Sequence, residues 1–205
     1  MIHQIFFSEP GKVEVRKAPP PPAPGNDEVL LQTAFVGICG TDAHVLHGKH
    51  RIKPRPVIGQ EMAGVVEAIG ANVSHLSPGD RVALNPVVPF GHCETCRRGR
   101  YNIFEKATIV GFVLPGAAQT KLVVNQRQLR KEPDLLPSYH AALAEALSVV
   151  DHTSSRGQRL DEVLIIGAGT IGLCELAAAS SFDAEAVITD VKPLAEAAQA
   201  HAMPP

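Results

Sequence analysis

The segment VLIIGAGTIGL, residues 163–173, decides the second half of the fold because three of its glycines have the spacing GxGxxG. An apolar run, Glu162 to Ile166, precedes these glycines and predicts a strand buried on both faces. An apolar helix from Ile171 to Ala179 and a second strand from Ala186 to Thr189 are predicted to follow. Strand, glycine turn, helix and strand in this order predict a βαβ unit of a parallel sheet.

The glycine spacing is typical of a dinucleotide site. Gly167 permits a tight turn, Gly169 lets the backbone approach a pyrophosphate, and Gly172 lets the helix pack on the strand. The start of the helix then offers N–H groups to the phosphates. Asp190, at the end of the second strand, would accept hydrogen bonds from the ribose hydroxyls and repel a 2′-phosphate, which favours NAD over NADP. The alternative is a glycine-rich turn of an ordinary α/β unit.

The first half of the chain reads as short strands separated by turns, which predicts a small barrel-like β domain. The predicted strands are Ile2 to Phe7 and Lys12 to Arg16 as a hairpin, then Glu28 to Val36, Ala63 to Ile69 and Asp80 to Leu84. A helix that Pro137-Ser138 can start, rich in Ala and Leu from Ala141 to Val150, follows, and the polar stretch Asp151 to Arg159 predicts a linker. We therefore expect a β domain over residues 1–150 and a nucleotide-binding unit over residues 155–205.

Composition excludes several functions. A net charge of −2 and an aromatic content of 4% without tryptophan give no basic or stacking surface for nucleic acid. No apolar run approaches the roughly 18 residues of a membrane span, and the N-terminus does not read as a secretory signal. The expected location is the cytoplasm.

The stretch GICGTDAH, residues 37–44, predicts a metal and proton-transfer site. Cys39 lies between glycines that let the backbone bend around a thiolate ligand. Thr41 and His44 follow at positions suited to a path that takes a proton from a hydroxyl to an imidazole. His47 and His50 lie nearby and are expected to be solvated rather than metal ligands.

Six motifs make the chain resemble the zinc-containing medium-chain dehydrogenases, the family of alcohol, sorbitol, threonine and butanediol dehydrogenases. They are GICGTDAH (37–44), GQEMAGVV (59–66), GDRV (79–82), GHCETCRRGRYN (91–102), ALAEALSVV (142–150) and IGAGTIG (166–172). The resemblance implies a GroES-like β-barrel domain followed by a Rossmann domain. It also implies hydride transfer between an alcohol or polyol and NAD, with zinc polarising the alcohol oxygen.

The resemblance carries roles onto individual residues. Cys39 matches the catalytic-zinc cysteine, and Thr41 matches the residue that takes the substrate's hydroxyl proton. Asp42 matches a carboxylate that orients a ligand histidine, and Glu61 matches a glutamate that can move onto the metal. Glu145 matches the ligand glutamate of the polyol branch, although an exposed helix residue is the alternative. His44 matches a relay histidine found in some members.

Both predicted metal sites depart from the family pattern. Gln60 replaces the ligand histidine, and an amide oxygen is a weaker zinc donor than imidazole. We expect a weakened catalytic site of Cys39, Gln60, Glu61 and Glu145. In the structural-zinc lobe only Cys93 and Cys96 remain of four thiols, since Phe90 and Phe104 occupy the other two positions. That site is expected to be lost, and its two cysteines to be reduced thiols.

Three functions stay open. The first is the zinc-dependent dehydrogenase. The second is a non-catalytic, C-terminally truncated copy that serves at most as a binding module, because the nicotinamide half of the nucleotide domain is missing. The third, a zinc-independent reductase of the same superfamily, is disfavoured by the cysteine motif and by Asp190.

A homo-oligomer is possible, and a small alcohol or polyol is the expected partner. Cys174 is expected to be a core residue and Arg97, Arg98 and Arg100 a solvated surface.

Overall fold

An antiparallel sheet of five strands forms the centre of the molecule. The computed structural model describes residues 1–49, 57–88, 93–100, 108–154 and 165–180. The strands are β1 (Ile2–Glu9), β2 (Lys12–Ala18), β3 (Glu28–Val36), β4 (Met62–Ile69), β5 (Arg81–Leu84), β6 (Val87–Val88), β7 (Thr108–Ile109), β8 (Lys121–Asn125) and β9 (Leu129–Lys131). The helices are α1 (Gly40–Leu46), α2 (Glu94–Arg97), α3 (Ser138–Ala141), α4 (Ala144–Ser154) and α5 (Thr170–Ser180). No helix among these residues is both long and apolar enough to cross a bilayer.

The central sheet has the strand order β8-β3-β4-β5-β9, while the β1-β2 hairpin and the β6-β7 pair form two separate two-stranded sheets. The predicted strands over residues 2–36 and 62–84 are confirmed, and β3 has the predicted bounds. Within the described ranges the sheet stays open rather than closing into a barrel. The first hairpin joins it beside β8, through a bridge between Gln4 and Gln119 and a hydrogen bond from Ile5 N to Ala118 O of 2.8 Å.

The core lies under β3, β4 and β5. Alternate residues of β3 point into it, and Val29 and Leu31 are fully buried. Fully burying one such aliphatic side chain stabilises a fold by about 1.5–3 kcal/mol. The other members of this core are Met62, Val66, Val73, Leu76, Val82, Leu84, Val110, Ala117, Leu122, Val124 and Leu129. The period-two pattern of β3 therefore fixes which face of the sheet is buried.

The helical segment after the sheet differs from the prediction in two ways. A break separates α3 from α4, so residues 141–150 do not form one helix. The predicted linker is wrong over its first residues, because α4 continues to Ser154. Two polar side chains of α4 bond to their own helix: Ser148 Oγ donates to Glu145 O at 2.6 Å, and Thr153 Oγ1 donates to Val149 O at 2.9 Å. Such back-bonding lets polar residues occupy an exposed helix face.

The glycine segment is only partly as predicted. Helix α5 confirms the predicted helix from Ile171 to Ala179. The strand prediction is wrong for Ile165 and Ile166, which have no strand conformation, and Ile166 is 90% exposed. A parallel strand is buried only where neighbouring strands and helices cover it, and no described element covers Ile166. Residues 162–164, the predicted strand from Ala186 to Thr189 and Asp190 lie outside the described ranges.

Arg81 connects the central sheet to the segment that leads into the helices. From the start of β5 its guanidinium donates to the carbonyl oxygens of Pro133, Asp134 and Leu136 at 2.8–2.9 Å. It also lies 3.7 Å from the carboxylate of Glu132, whose side chain is 1% exposed. Arg81 thus ties the segment that leads into α3 to the start of β5.

A tight backbone crossing lies beside the candidate site. Gly116 N donates to Val57 O at 2.9 Å, and a Cβ on Gly116 would overlap the carbonyl groups of Ile58 and Gly59. We expect Gly116→Ala to lower the free energy of unfolding by about 3 kcal/mol, because overpacking against backbone cannot relax through a rotamer. Urea denaturation measures this. Gly40→Ala is the matched control, since a Cβ there meets no atom within 4 Å; an equal loss in both variants would contradict the steric explanation.

Candidate metal and proton-transfer site

Asp42 fixes the turn that presents Cys39. Cys39 directly precedes α1, and its backbone N–H donates to Asp42 Oδ2 at 3.0 Å. The Asp42 carboxylate also accepts a hydrogen bond from the backbone N–H of Gly59. An acid at the third helical position that binds the residue before the helix is a capping interaction. Asp42 thus ties the start of α1 to the segment before β4, and this brings Cys39 next to Gln60.

The Cys39 sulfur is surrounded by three polar side chains. Thr41 Oγ1 lies 3.4 Å from it, and Gln60 Nε2 donates to it at 3.5 Å. The Glu61 carboxyl is hydrogen-bonded to the same thiol. Glu61 lies so close to Gly37 that a Cβ at position 37 would overlap Oε2. A side chain at position 37 would therefore displace the Glu61 carboxyl from its place beside Cys39.

The cluster is acidic and buried. Burial, and then the Glu145 and Asp42 carboxyls, raise the pKa of Glu61 to about 7 against a small opposing effect of its bond to Cys39. Burial raises the pKa of Asp42 to about 6, although backbone bonds from Cys39 and Gly59 oppose the rise. Burial also raises the pKa of Glu145. The pKa of the Cys39 thiol is raised by burial in the first place, and Glu61 adds to the rise. Mutual repulsion of these groups favours their neutral forms, or a cation among them.

The donor chemistry fits a divalent cation, but the arrangement is open. One sulfur, two carboxyl groups and one amide share a neighbourhood, and these are groups that bind metals. In the described ranges, however, no three His, Cys, Asp or Glu side chains converge closely enough to hold an ion. An ion would need side-chain movement and the amide oxygen of Gln60, which points to weak binding.

Helix α5 lies next to this cluster. Cys174 is fully buried, as predicted, and it packs against Ala146 and Val150 of α4. Burial, followed by the Glu61 carboxyl, raises the pKa of Cys174, so α5 lies within electrostatic range of Glu61. The glycine turn leads directly into this helix. Gly167 has a φ of +117°, and a Cβ on Gly172 would overlap the carbonyl oxygen of Gly167.

Comparison with known proteins decides the family. The model of the alcohol dehydrogenase GroES-like domain matches residues 25–134, a range that includes the Cys39 turn, Gln60 and Glu61. The chain belongs to this family.

Known dehydrogenases and reductases match most of the length of this chain. Human sorbitol dehydrogenase is 38% identical over 182 residues, which cover 84% of this chain and 50% of that protein. The crystal structure of galactitol-1-phosphate dehydrogenase from Escherichia coli has a TM-score of 0.82 at 30% identity and covers 87% of this chain. Acetophenone reductase from Geotrichum candidum, solved in complex with NAD, has a TM-score of 0.78 at 30% identity and covers 88% of this chain. The chain covers 52% and 55% of these two structures and spans about half the length of the curated relatives it matches.

The structure brings five of the predicted site residues together, four of them within the alcohol dehydrogenase GroES-like domain. Cys39, Thr41, Gln60 and Glu61 are linked by contacts, and Glu145 acts on Glu61 through its charge. His44 lies three residues after Thr41 on α1 and is exposed. Of the structural-zinc lobe, Cys93 and Cys96 contact each other at 3.0 Å, while Phe90 and Phe104 lie outside the described ranges. Two thiols do not fit the four-ligand site of structural zinc.

Sequence reasoning missed three interactions. It did not anticipate that the Glu61 carboxyl occupies the space beside Gly37, or that Asp42 binds the backbone of Gly59. The spacing Cys39-x-x-Asp42 before a helix carried a capping signal that could have identified the second. The influence of Glu61 on Cys174 has no sequence signal, because it depends on how α5 packs.

Stability of the metal-free domain should depend on the protonation of Glu61. Burial raises the pKa of Glu61 from 4.5 to about 7 in the folded protein. The folded state therefore binds the Glu61 proton more tightly than the unfolded chain does. The stability gained from this proton is complete below about pH 4 and is lost as the pH rises through about 7. Glu61→Gln removes this dependence. With a chelator present, we expect the variant to gain on the order of 3 kcal/mol over the wild type between about pH 4 and pH 8. Urea titrations across this range measure the gain, and parallel profiles for the two proteins would contradict the assignment.

Proposed function

We propose that the protein is an oxidoreductase that transfers hydride between an alcohol or polyol and NAD. The observation that carries this proposal is the contact of Cys39 with Thr41, Gln60 and Glu61, together with α5 lying within electrostatic range of Glu61. Oxidation of an alcohol needs a group that takes the hydroxyl proton and a nearby acceptor for hydride. The Thr41 hydroxyl, beside the Cys39 thiol and the Glu61 carboxyl, suits the first need, and a dinucleotide at the glycine turn before α5 would meet the second. The names of the relatives support the same class of substrate.

Cys39, Gln60, Glu61 and Glu145 are the residues that would hold a divalent cation, with zinc as the expected ion. When bound, such a cation polarises an alcohol oxygen and lowers its pKa. Two carboxylates would damp this effect, since they neutralise part of the charge. We therefore propose that the metal site is weaker than one with imidazole as a ligand.

Two residues of α1 are proposed to carry the proton. Thr41 Oγ1 is half-buried beside the Cys39 sulfur and can accept the substrate's hydroxyl proton as it gives up its own. His44 follows on the next turn of the same face, because residues three apart on a helix are neighbours. Since His44 is exposed, it can pass the proton to water. The path thus leads from a half-buried hydroxyl to solvent over one helical turn.

The dinucleotide is proposed to bind where the glycine turn meets α5. Gly167, Gly169 and Gly172 bring the backbone close to the pyrophosphate, and the first N–H groups of α5 face it. A Cβ on Gly169 would meet no atom within 4 Å, so space for a ligand exists there. The preference for NAD over NADP rests on Asp190 and stays a prediction.

Thr41→Val tests the proposal, because it keeps the side-chain shape and removes the hydroxyl. Zinc-supplemented protein with NAD and a panel of alcohols, sorbitol and threonine included, should form NADH. In the variant, kcat should fall about a hundredfold or more, while NAD affinity by calorimetry stays constant. NADH formation that is equal in both proteins would contradict the role of Thr41.

A non-catalytic binding module is the second candidate. The replacement of the ligand histidine by Gln60 favours it, because the amide now donates a hydrogen bond to the sulfur that would bind the metal. On this alternative the protein would give a heat of NAD binding but no NADH with any alcohol, zinc-loaded or not. The same calorimetry and assay therefore separate the two candidates.

A further inference from the structure

Cys93 and Cys96 form a close pair on and beside α2. The Cys93 thiol donates a hydrogen bond to the Cys96 sulfur, and the two sulfur atoms lie 3.0 Å apart. A disulfide has an S–S length of about 2.05 Å, so a shift of about 1 Å would join the two atoms. Neither cysteine is in a disulfide in this structure. The pair therefore starts close to the geometry of a covalent bond.

The two thiols are unequal in access. Cys96 is 2% exposed, whereas Cys93 is only half-buried. The backbone N–H of Cys96 donates to the Cys93 sulfur at 3.3 Å, and Thr95 Oγ1 lies 2.9 Å from it. Thiol–disulfide exchange requires that the reagent reach the attacking sulfur. Because it is the more exposed of the two, Cys93 is the accessible nucleophile, and Cys96 is the partner behind it.

The charge around the pair is positive. Arg97, Arg98 and Arg100 follow within four residues of Cys96, and Glu94 is the single acid between residues 93 and 100. Glu94 pairs with Arg98, and the three arginines outnumber this one acid, so the formal charge of residues 93–100 is positive. A positively charged surface attracts anionic reagents. An anionic disulfide is the kind of reagent that this surface favours.

We propose that Cys93 and Cys96 are a redox-active dithiol that exchanges with anionic low-molecular-weight disulfides of the glutathione disulfide class. The Cys93 thiolate attacks one sulfur of the reagent, forms a mixed disulfide and releases the first thiolate. The Cys96 thiolate then attacks the Cys93 sulfur, forms the Cys93–Cys96 bond and releases the second thiolate. The two protein protons end on the two released thiols, so one disulfide is reduced as one is formed. This reaction does not depend on the proposed dehydrogenase function.

Mass spectrometry with glutathione disulfide as the probe tests the reaction. Wild-type protein should lose two hydrogens, and peptide mapping should find the bond between Cys93 and Cys96. Cys96→Ser should instead keep one glutathione on Cys93, because the second attack is absent. Cys93→Ser should react at least about tenfold more slowly than Cys96→Ser, because Cys96 is buried.

Three results would overturn the proposal. The first is a stable glutathione adduct on Cys93 of the wild type with no internal bond. The second is reaction at Cys39 while the pair stays reduced. The third is complete protection of the wild-type pair by added zinc, which would show that the thiols hold metal. Far-ultraviolet circular dichroism of each variant checks that it is folded, so that slow reaction cannot be ascribed to collapse of the lobe.

Discussion

Replacing Arg81 with methionine should lower the free energy of unfolding by about 3 kcal/mol. The substitution keeps an unbranched apolar stem but removes the guanidinium that donates to Pro133, Asp134 and Leu136. It also leaves the buried Glu132 carboxylate without its cationic neighbour, and an unpaired buried charge costs several kcal/mol. Urea denaturation at neutral pH measures the loss.

A double variant identifies which effect dominates. Arg81→Met with Glu132→Gln should recover part of the loss, because the unpaired charge is removed. Arg16→Met is the matched control: this arginine lies on the surface, paired with Glu14 and stacked on Phe6. We expect it to cost less than about 1 kcal/mol. Equal losses at Arg81 and Arg16 would contradict the role of Arg81 as a connection between the sheet and the helices.

Gln60→His should increase zinc affinity by about a hundredfold, equivalent to about 2.7 kcal/mol. The amide that donates to the Cys39 sulfur would be replaced by an imidazole, a much better zinc ligand. The bond from Cys39 N–H to Asp42 would remain, and it would hold the thiol beside the new imidazole. Competition with a chromogenic chelator measures the affinity of both proteins.

Gln32→His is the control for a histidine that simply adds a surface ligand, since Gln32 is exposed on β3. It should leave zinc affinity unchanged. An unchanged affinity in Gln60→His would mean that Cys39, Glu61 and Glu145 do not surround position 60 as a metal site. A gain of equal size in both variants would mean that zinc binds the added imidazole anywhere on the surface.

The β domain was predictable because its strands carry local signals. The bounds of β3 followed from its alternating apolar residues and its turn neighbours. The C-terminal end of α4 was not predictable, since Thr153 lies in the stretch that reads as a linker in sequence and bonds to its own helix in the structure. The exposure of Ile166 was also hidden, because burial of a parallel strand depends on elements far away in sequence.

The candidate site was predictable in membership and not in electrostatics. Motif resemblance identified Cys39, Thr41, Gln60 and Glu61, and the structure brings them into contact. The shift of Glu61 to a pKa of about 7 required the spatial position of Glu145, some eighty residues later in the chain. A sequence pattern indicates which metal-binding side chains are present. The repulsion between their charges depends on how the chain packs.

Cobalt(II) spectroscopy tests the central claim most directly, namely that the cluster around Cys39 is a weakened metal site. Bound to a thiolate, cobalt gives a ligand-to-metal charge-transfer band in the near ultraviolet. We predict that excess cobalt produces this band in the wild type, that Gln60→His produces it at lower cobalt, and that Cys39→Ser abolishes it. A band that survives in Cys39→Ser and disappears when Cys93 and Cys96 are replaced by serine would contradict the account.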